Sequence, residues 1–294
     1  MNVAVHAFAE DEVPARALAA ALGVAFAPIG LHVFPDGEVL PTVMPGSRVV
    51  LAYRSLDRPN DKLVSLLLAA DAWRRAGVER LVLVAPYLCY LRQDAVFAPG
   101  QPLSRDVIAA LLGPRFDRVV TVEAHLHRTR DLSAVFGVRA DSLPAAAMLA
   151  KVLGPPPPDL VVVGPDAESA AWTAEVADAL GVPSLVMRKR RLGDRSIRLD
   201  APDPERLAGR PVMLVDDICS SGSTLVAAAE AVGAAGAAQI DLAVTHALFG
   251  VQVERRLRAA GVGRIVSTDS VSHPSNAAPL APLLARAMAD EVSA

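Results

Sequence analysis

Short apolar runs alternate with longer segments of helical periodicity along most of the chain. The apolar runs are rich in β-branched residues, are bounded by turn residues and have the length of single strands. They occupy residues 49–52, 80–85, 118–122, 160–163, 184–187, 211–215, 240–244 and 264–267. Between several of them lie helical patterns at 61–76, 104–112 and 169–180. Alternation of this kind predicts an α/β fold with parallel sheets.

Residues 212–224 combine an apolar run, two acids and a loop of small residues, and they read Val-Met-Leu-Val-Asp-Asp-Ile-Cys-Ser-Ser-Gly-Ser-Thr. The pattern predicts a buried strand that ends at the two acids and a helix that begins at Leu225. Backbone N–H groups at a helix N-terminus, small side chains and hydroxyl donors together form a phosphate cradle. The residues of this cradle are Ser220, Ser221, Gly222, Ser223 and Thr224.

The acid pair Asp216 and Asp217 distinguishes this segment from a dinucleotide-binding loop. A carboxylate repels a phosphate, so the natural partners of these acids are sugar hydroxyls or a shared Mg²⁺. The segment therefore favours a phosphorylated sugar as its ligand. The alternative interpretation is a strand end with an acidic N-cap and a Ser-rich turn.

Composition argues against several other classes of protein. With 29 Lys and Arg against 32 Asp and Glu, the net charge of −3 gives no general argument for binding nucleic acid or an acidic membrane. No apolar run reaches membrane-spanning length, and the first residues lack the pattern of a signal peptide. Cys89 and Cys219 have no metal-ligand spacing and predict buried thiols. We therefore expect a cytoplasmic enzyme with no nucleic-acid or membrane partner.

Further motifs follow one another along the chain. They are Phe-Pro-Asp-Gly-Glu at 34–38, Pro-Tyr-Leu-Cys-Tyr-Leu-Arg-Gln-Asp at 86–94, Pro-Gly-Gln-Pro-Leu-Ser-Arg at 99–105, Thr-Val-Glu-Ala-His at 121–125, Gly-Pro-Asp-Ala at 164–167, Lys-Arg-Arg at 189–191, Thr-His-Ala-Leu-Phe at 245–249, Thr-Asp-Ser at 268–270 and His-Pro-Ser-Asn at 273–276. In this order and spacing, the chain resembles the ribose-phosphate pyrophosphokinase family over nearly its full length. Its short length and the stretch 189–195 are more similar to the archaeal-type branch.

The resemblance implies a reaction in which the 1-hydroxyl of ribose 5-phosphate attacks the β-phosphorus of ATP and expels AMP, with Mg²⁺ as cofactor. It also implies a homodimer or a higher homo-oligomer. Its expected fold consists of two similar phosphoribosyltransferase-like domains, each a largely parallel sheet flanked by helices. A faint internal repeat, 51–84 against 214–244, agrees with this duplication, although any two βαβ units look alike.

We expect the N-terminal domain to span residues 1–150 and the C-terminal domain to span 151–280. The prolines at 155–158 suit a stiff connector and indicate a domain boundary. Residues 281–294 are expected to form a helix that packs back on the first domain.

The resemblance assigns ATP binding to two loops of the first domain, the first of them in the ATP site of a neighbouring subunit. The residues are Phe34, Asp36 and Glu38 in one loop and Arg92, Gln93 and Asp94 in the other. A ring can stack on adenine, an acid can accept from its amino group, and an Arg can clamp a triphosphate. From the residues alone, the first loop is equally typical of a hairpin with a core-anchoring Phe, and the second of a solvated turn.

His125 and Asp166 each follow a predicted strand, at the strand end where parallel sheets place ligands. By resemblance they hold one Mg²⁺ ion, although Mg²⁺ usually prefers oxygen ligands. A hydrogen-bonded structural role is the alternative for the histidine. A zinc pair with His127 is not expected, because no third ligand is near in sequence.

The run Arg188–Arg191 opens a polar, basic stretch that is typical of a solvated surface. By resemblance it is a mobile loop that closes over the triphosphate, in which Lys189 and Arg191 stabilise the transition state.

Two departures from the family pattern bear on the site. Ser223 replaces a glycine, where a side chain is expected to hinder close approach of the ligand. Glu168 and Ser169 stand where many members have two glycines, which places a carboxylate near the diphosphate path. Two other functions stay open: a nucleobase phosphoribosyltransferase, and a non-catalytic regulator that binds phosphoribosyl ligands.

Overall fold

The computed structural model describes residues 2–96, 98–125, 131–191, 197–200 and 203–293. Residue contacts divide the chain into two units. Unit 1 consists of Met1–Pro144 and Leu280–Ala294, and unit 2 of Ala145–Pro279.

In the described part of unit 1, parallel strands form a six-stranded sheet in the order β2-β1-β5-β6-β7-β8. A separate antiparallel hairpin is formed by β3 and β4. The strands are β1 (Val3–Ala7), β2 (Ala25–Pro28), β3 (Gly30–Val33), β4 (Val39–Thr42), β5 (Val49–Tyr53), β6 (Arg80–Val84), β7 (Arg118–Val122) and β8 (Arg139–Leu143). The helices are α1 (Glu12–Leu22), α2 (Pro59–Arg75), α3 (Ser104–Leu112) and α4 (Leu132–Phe136), with α9 (Ala281–Ala287) and α10 (Ala289–Ser293) at the far end of the chain.

In the described part of unit 2, a second six-stranded parallel sheet has the order β10-β9-β13-β14-β15-β16. The strands are β9 (Val161–Gly164), β10 (Ser184–Val186), β11 (Arg188–Arg191), β12 (Ile197–Asp200), β13 (Pro211–Cys219), β14 (Gln239–Ala247), β15 (Val262–Thr268) and β16 (Asn276–Ala278). The helices are α5 (Ala146–Leu153), α6 (Ala170–Leu180), α7 (Ser223–Ala234) and α8 (Val251–Ala259). Strands β11 and β12 form an antiparallel ribbon of their own. The predicted fold class, parallel sheets flanked by helices, is confirmed.

Central strands in both units are buried along their whole length. All five residues of β5 and all four of β9 are buried. Parallel strands covered on both faces carry continuous apolar runs, because neither face meets water. This is why the sequence pattern of these strands is an unbroken apolar run rather than an alternation.

The chain passes from unit 1 to unit 2 earlier than the proline run at 155–158. Helix α5 lies before these prolines, yet it packs against α6 of unit 2. The prolines therefore connect α5 to β9 within unit 2, and a division at residue 150 would cut α5 in two. Helix packing, rather than the stiffness of the connector, decides where the unit begins.

The last segment of the chain belongs to unit 1. Helix α9 packs on α1. Beyond it, Asp290 and Glu291 form ion pairs with three arginines, each of which is the first residue of a strand. These are Arg80 of β6, Arg118 of β7 and Arg139 of β8, and the three strands are neighbours in the sheet. The side chain of Arg118 is only 1% exposed and that of Glu291 only 3%. These contacts, which we call the C-terminal clamp, tie residues far apart in sequence to one sheet edge.

His6 of β1 is fully buried in the core of unit 1. Its Nδ1 accepts a hydrogen bond from Nε1 of Trp73 at 3.2 Å, and the two rings meet edge to face. Burial lowers the pKa of His6 to about 4. The imidazole is therefore neutral at neutral pH.

Across the described residues, no helix combines the length and the apolar character needed to cross a membrane.

Candidate functional site

The acid pair of unit 2 lies inside a strand, not at its end. Strand β13 pairs with β9 only as far as Leu214, but it pairs with β14 as far as Cys219. The prediction that the strand ends at Asp216 and Asp217 is therefore wrong, because the apolar partner β14 continues the hydrogen-bonded ladder past the acids. On its other side, β13 extends beyond the end of β9. The acids therefore lie next to the loop that follows β9, which contains Asp166.

Burial and like charge shape the electrostatics of this pair. The pKa of Asp216 is raised well above its usual value, first by burial and then by the nearby carboxylates of Asp217 and Asp166. The backbone N–H of Asp217 donates to Oδ1 of Asp216 at 3.1 Å. Burial and like charge therefore both favour the protonated form of Asp216.

The predicted phosphate cradle lies directly after β13. Residues 220–222 form a loop and α7 begins at Ser223, two residues earlier than predicted. Ser221, Ser223 and Thr224 are exposed, and no side chain in the described residues caps the helix. The first N–H groups of α7 are thus available to an anion.

Gly222, rather than position 223, carries the conformational demand of the cradle. Its φ is +69°, a left-handed value that favours glycine, and a Cβ there would lie 2.3 Å from Cγ1 of Val253. Ser223 is the first residue of α7, with its side chain exposed. The tight position of the loop therefore has its glycine, and the effect of Ser223 on the approach of a ligand stays a prediction.

Asp166 begins a short 3-10 turn, Ala167–Ser169, after β9. Its Oδ1 accepts from the backbone N–H groups of Glu168 at 3.0 Å and Ser169 at 3.2 Å. In return the hydroxyl of Ser169 donates to the carbonyl of Asp166 at 2.7 Å. Ser169 therefore fixes this turn where glycine was the family residue, while the side chain of Glu168 is exposed.

Gly164, just before this turn, belongs to the motif at 164–167, but no role was predicted for it. A Cβ at Gly164 would lie 2.1 Å from the hydroxyl of Thr173 and 2.6 Å from that of Ser169. Any side chain would displace the turn that holds Asp166. The only signal in the sequence is a glycine between an apolar run and an aspartate.

Lys189 and Arg191 lie on a strand instead of in a loop. They belong to β11, which pairs with β12 in the register Lys189 with Leu199 and Arg191 with Ile197. Residues 192–196 lie outside the described residues. Strand β12 packs against α7, the helix that begins at the cradle. The predicted basic loop is thus a β-ribbon over its described part, because backbone pairing needs no apolar pattern.

The first predicted ATP loop of unit 1 forms the turn of the β3–β4 hairpin. The N–H of Phe34 donates to the carbonyl of Glu38 at 2.8 Å, and the N–H of Glu38 donates to Oδ1 of Asp36 at 3.2 Å. Phe34 is 38% exposed and meets the ring of His32 edge to face at 4.5 Å. The alternative of a core-anchoring Phe is therefore wrong.

The second predicted ATP loop follows β6. Arg92 and Gln93 are exposed, whereas Asp94 is buried. The N–H of Gln93 donates to the carbonyl of Tyr90 at 3.2 Å, and the N–H of Arg105 donates to the carbonyl of Gln93 at 3.3 Å. The loop is therefore held by its own backbone and by the start of α3.

His125 lies half-buried after β7, as a ligand at the carboxyl edge of a parallel sheet would. Its neighbour Ala124 donates its N–H to Oγ of Ser142 at 2.9 Å. His127 is outside the described residues. Over the residues that are described, no three His, Cys, Asp or Glu side chains form a group that could hold a metal ion.

Both cysteines are buried free thiols, as predicted. Burial raises the pKa of Cys89 and of Cys219 to about 12. A thiol is a poor nucleophile unless it ionises, so neither cysteine is suited to covalent catalysis.

Helix α8 also contacts the cradle, a contact that the sequence did not indicate. Nη1 of Arg256 donates to the carbonyl oxygen of Ser221 at 3.2 Å, and Val253 lies against Gly222. Behind it, Nε2 of His273 lies 3.1 Å from the carbonyl oxygen of Phe249, next to the start of α8. Phe249 and His273 lie in the motifs at 245–249 and 273–276, for which no role was predicted.

Known proteins agree with this architecture. Residues 4–114 match the N-terminal domain of ribose phosphate pyrophosphokinase, and residues 124–258 match the phosphoribosyl transferase domain. A ribose-phosphate pyrophosphokinase of Methanopyrus kandleri is 35% identical over 277 residues, which cover 93% of this chain and 94% of that protein. One from Halobacterium salinarum is 33% identical, with 93% and 96% covered.

A solved structure has the same fold over the whole chain. The phosphoribosylpyrophosphate synthetase from Mycobacterium smegmatis superimposes with a TM-score of 0.85 at 25% identity, covering 100% of this chain and 99% of that one. The similarity to archaeal relatives agrees with the branch predicted from the sequence. An N-terminal pyrophosphokinase domain in addition to the transferase domain favours this family over the two alternatives. The chain therefore belongs to the ribose-phosphate pyrophosphokinase family.

Proposed function

We propose that this protein transfers the diphosphoryl group of ATP to ribose 5-phosphate, giving phosphoribosyl pyrophosphate and AMP. The observation that carries the proposal is the arrangement of Asp216 and Asp217 directly before an uncapped helix N-terminus with exposed hydroxyls. In the reaction the 1-hydroxyl oxygen of the sugar forms a bond to the β-phosphorus. The bond from that phosphorus to the oxygen of AMP breaks, and the hydroxyl proton is lost.

We assign the sugar phosphate to unit 2. The 5-phosphate is held by N–H groups at the start of α7 and by the hydroxyls of the cradle, which the exposure of Ser221, Ser223 and Thr224 supports. The carboxylates of Asp216 and Asp217 bind the ribose hydroxyls. Fixing the sugar phosphate next to the bound ATP supplies much of the rate enhancement that a transfer of this kind needs.

We also propose that Mg²⁺ is the cofactor, with His125 and Asp166 as ligands and the acid pair nearby. The donor chemistry fits, because the pKa of Asp216 is raised by burial and then by the carboxylates of Asp217 and Asp166, and a divalent cation would neutralise this like charge. Mg²⁺ commonly uses only one or two carboxylates together with substrate phosphates and water, so a three-residue protein site is not required. When bound, it would neutralise charge on the triphosphate.

ATP is assigned to Arg92, Gln93 and Asp94 and, from a neighbouring copy of the chain, to the loop of Phe34, Asp36 and Glu38. The exposed apolar surface of the β3–β4 hairpin supports a homodimer or a higher homo-oligomer. Its exposed apolar residues are Leu31, Val33, Phe34 and Leu40. Exposed apolar side chains on a hairpin are stabilised when a partner covers them.

Lys189 and Arg191 are proposed as the catalytic cations that meet charge on the moving diphosphoryl group. Support comes from β12, the partner of their strand, which packs on the cradle helix α7. Because the substrates are ATP and a sugar phosphate, which are cytoplasmic metabolites, we place the enzyme in the cytoplasm.

A single assay tests the proposed function. The purified protein is incubated with Mg²⁺, ATP and ribose 5-phosphate, and AMP is measured. AMP that forms only when the sugar is present supports a pyrophosphokinase. Consumption of added phosphoribosyl pyrophosphate with a nucleobase, without AMP formation from ATP, would instead indicate a phosphoribosyltransferase. Absence of both reactions would indicate a binding protein without catalysis.

A further inference from the structure

Helix α8 contacts the sugar-phosphate loop at two adjacent residues. Nη1 of Arg256 lies 3.2 Å from the carbonyl oxygen of Ser221 and donates to it. Val253, one turn earlier on the same helix, fills the space beside Gly222, where a Cβ would lie 2.3 Å from Cγ1 of the valine. Residues three apart share one face of a helix, so a single face of α8 makes both contacts.

The Arg256 contact fixes the direction of a peptide group. The carbonyl of Ser221 and the N–H of Gly222 belong to one planar trans peptide, so they point in opposite directions. When Arg256 holds the carbonyl towards α8, the N–H of Gly222 points away from α8. An N–H group oriented in advance binds an anion without first losing backbone freedom.

The Val253 contact restricts the neighbouring Gly222 from the same face of α8. Gly222 has a φ of +69°, and a glycine without a neighbour could adopt many other conformations. The valine side chain leaves no room for the loop to relax towards α8. One polar and one apolar contact therefore restrain the centre of the cradle.

We propose that Arg256 and Val253 are positioning residues for the sugar-phosphate loop: α8 holds the Ser221–Gly222 peptide in the orientation that binds the 5-phosphate. The inference rests on the proposed function, because it concerns the loop assigned to ribose 5-phosphate. Neither residue belongs to the motifs from which the site was predicted.

The test compares Arg256→Ala and Val253→Ala with Arg255→Ala, an exposed position on the same helix. Loss of one restraint should raise the KM for ribose 5-phosphate about five-fold, which corresponds to about 1 kcal/mol. The KM for ATP and the turnover at saturating sugar should stay within about two-fold of the wild type. The lost contact stabilises the bound sugar equally in the ground state and in the transition state, so its loss changes binding but not turnover. Arg256→Lys, which keeps a donor, should recover part of the loss, and Arg255→Ala should match the wild type.

Calorimetric titration of ribose 5-phosphate into each variant provides a second measurement that does not depend on turnover. Unchanged sugar binding in Arg256→Ala would overturn the inference. An effect of Arg256→Ala without one of Val253→Ala would also overturn it, since it would indicate a direct charge contact with the phosphate. If the wild type bound the sugar but formed no AMP, the proposed function would fail, while weaker binding in both variants would still support the positioning role.

Discussion

Lys189 and Arg191 are the residues on which the proposed chemistry depends most. Charge develops on the transferring group only in the transition state, so a cation that meets it should influence turnover more than binding. By analogy with oxyanion-hole donors, removal of one such cation costs about 3–4 kcal/mol, a drop of roughly 10² to 10³ in turnover. We expect this drop for Lys189→Ala and for Arg191→Ala in steady-state assays of AMP formation.

Arg190, between the two, is the matched control. It has the same charge and the same strand, and Arg190→Ala should keep turnover within about five-fold of the wild type. The melting temperature of all three variants should be unchanged. Near-normal turnover of Lys189→Ala would contradict the assigned mechanism.

A second prediction concerns His6, at the centre of unit 1. Its pKa is about 4 in the folded protein against an ordinary 6.5. Between these two pH values the imidazole is protonated in the unfolded chain and neutral in the folded protein. This contribution to stability is present above the unfolded pKa and is lost as pH falls. Between about pH 7 and pH 5 the loss should reach about 2 kcal/mol.

The variant His6→Asn isolates this effect, because an amide oxygen can still accept from Nε1 of Trp73 but does not titrate. Urea unfolding of both proteins across this pH range gives the free energy of unfolding for each. The difference in free energy of unfolding between the wild type and His6→Asn should become smaller as the pH falls, because only the wild type loses stability by protonation of His6. A difference that does not change with pH would show that His6 is not the group that titrates.

At the scale of single elements, the β3–β4 hairpin carries the next prediction. Phe34→Ala should raise the KM for ATP about ten-fold, the amount expected for one lost base-stacking contact, and should change the KM for the sugar little. Val13→Ala, at an exposed apolar position of α1, is the control. Sedimentation at assay concentration should show a homodimer or a larger assembly, and a fully active monomer would refute the shared ATP site.

The elements differ in how well the sequence predicted them. Helix α3 begins and ends where the pattern placed it, and β7 does too, because each has a complete apolar signal between turn residues. Strand β13 runs four residues further than its apolar pattern, since pairing with β14 continues through two acids. Strand β11 is Arg-Lys-Arg-Arg and had no apolar pattern to detect, and its pairing with β12 is a backbone ladder.

The candidate site divides in the same way. Asp216, Asp217 and the cradle were indicated by residue type and order, which are local properties. The restraint that α8 places on Ser221 and Gly222 depends on a contact between residues some 35 positions apart, and no local pattern encodes it. The types and order of these side chains could be read from the sequence, whereas the contact by which α8 restrains the loop could not.

At the scale of the whole molecule, the C-terminal clamp provides a stability prediction. Glu291→Gln removes the carboxylate that pairs with Arg80 and with the buried Arg118. Arg118 keeps its pairs with Asp141 and Asp290, so the loss of one charged hydrogen-bond partner should cost about 2 kcal/mol of unfolding free energy. Asp71→Asn, which breaks the exposed pair with Arg75, should cost at most about 0.5 kcal/mol. Chemical denaturation compares the two, and equal effects would refute the importance of the clamp.

The clamp also sets an order of events during protein synthesis. Arg118 and Glu291 are separated by 173 positions, and all of unit 2 lies between them. While a ribosome is still making the second sheet, Arg118 and Arg139 of the first can pair with Asp141 but not yet with Asp290 or Glu291. Unit 1 can reach its final stability only after residue 291 has emerged. A nascent chain that stalls earlier would therefore present an unfinished first unit to chaperones and proteases, whatever the state of the second.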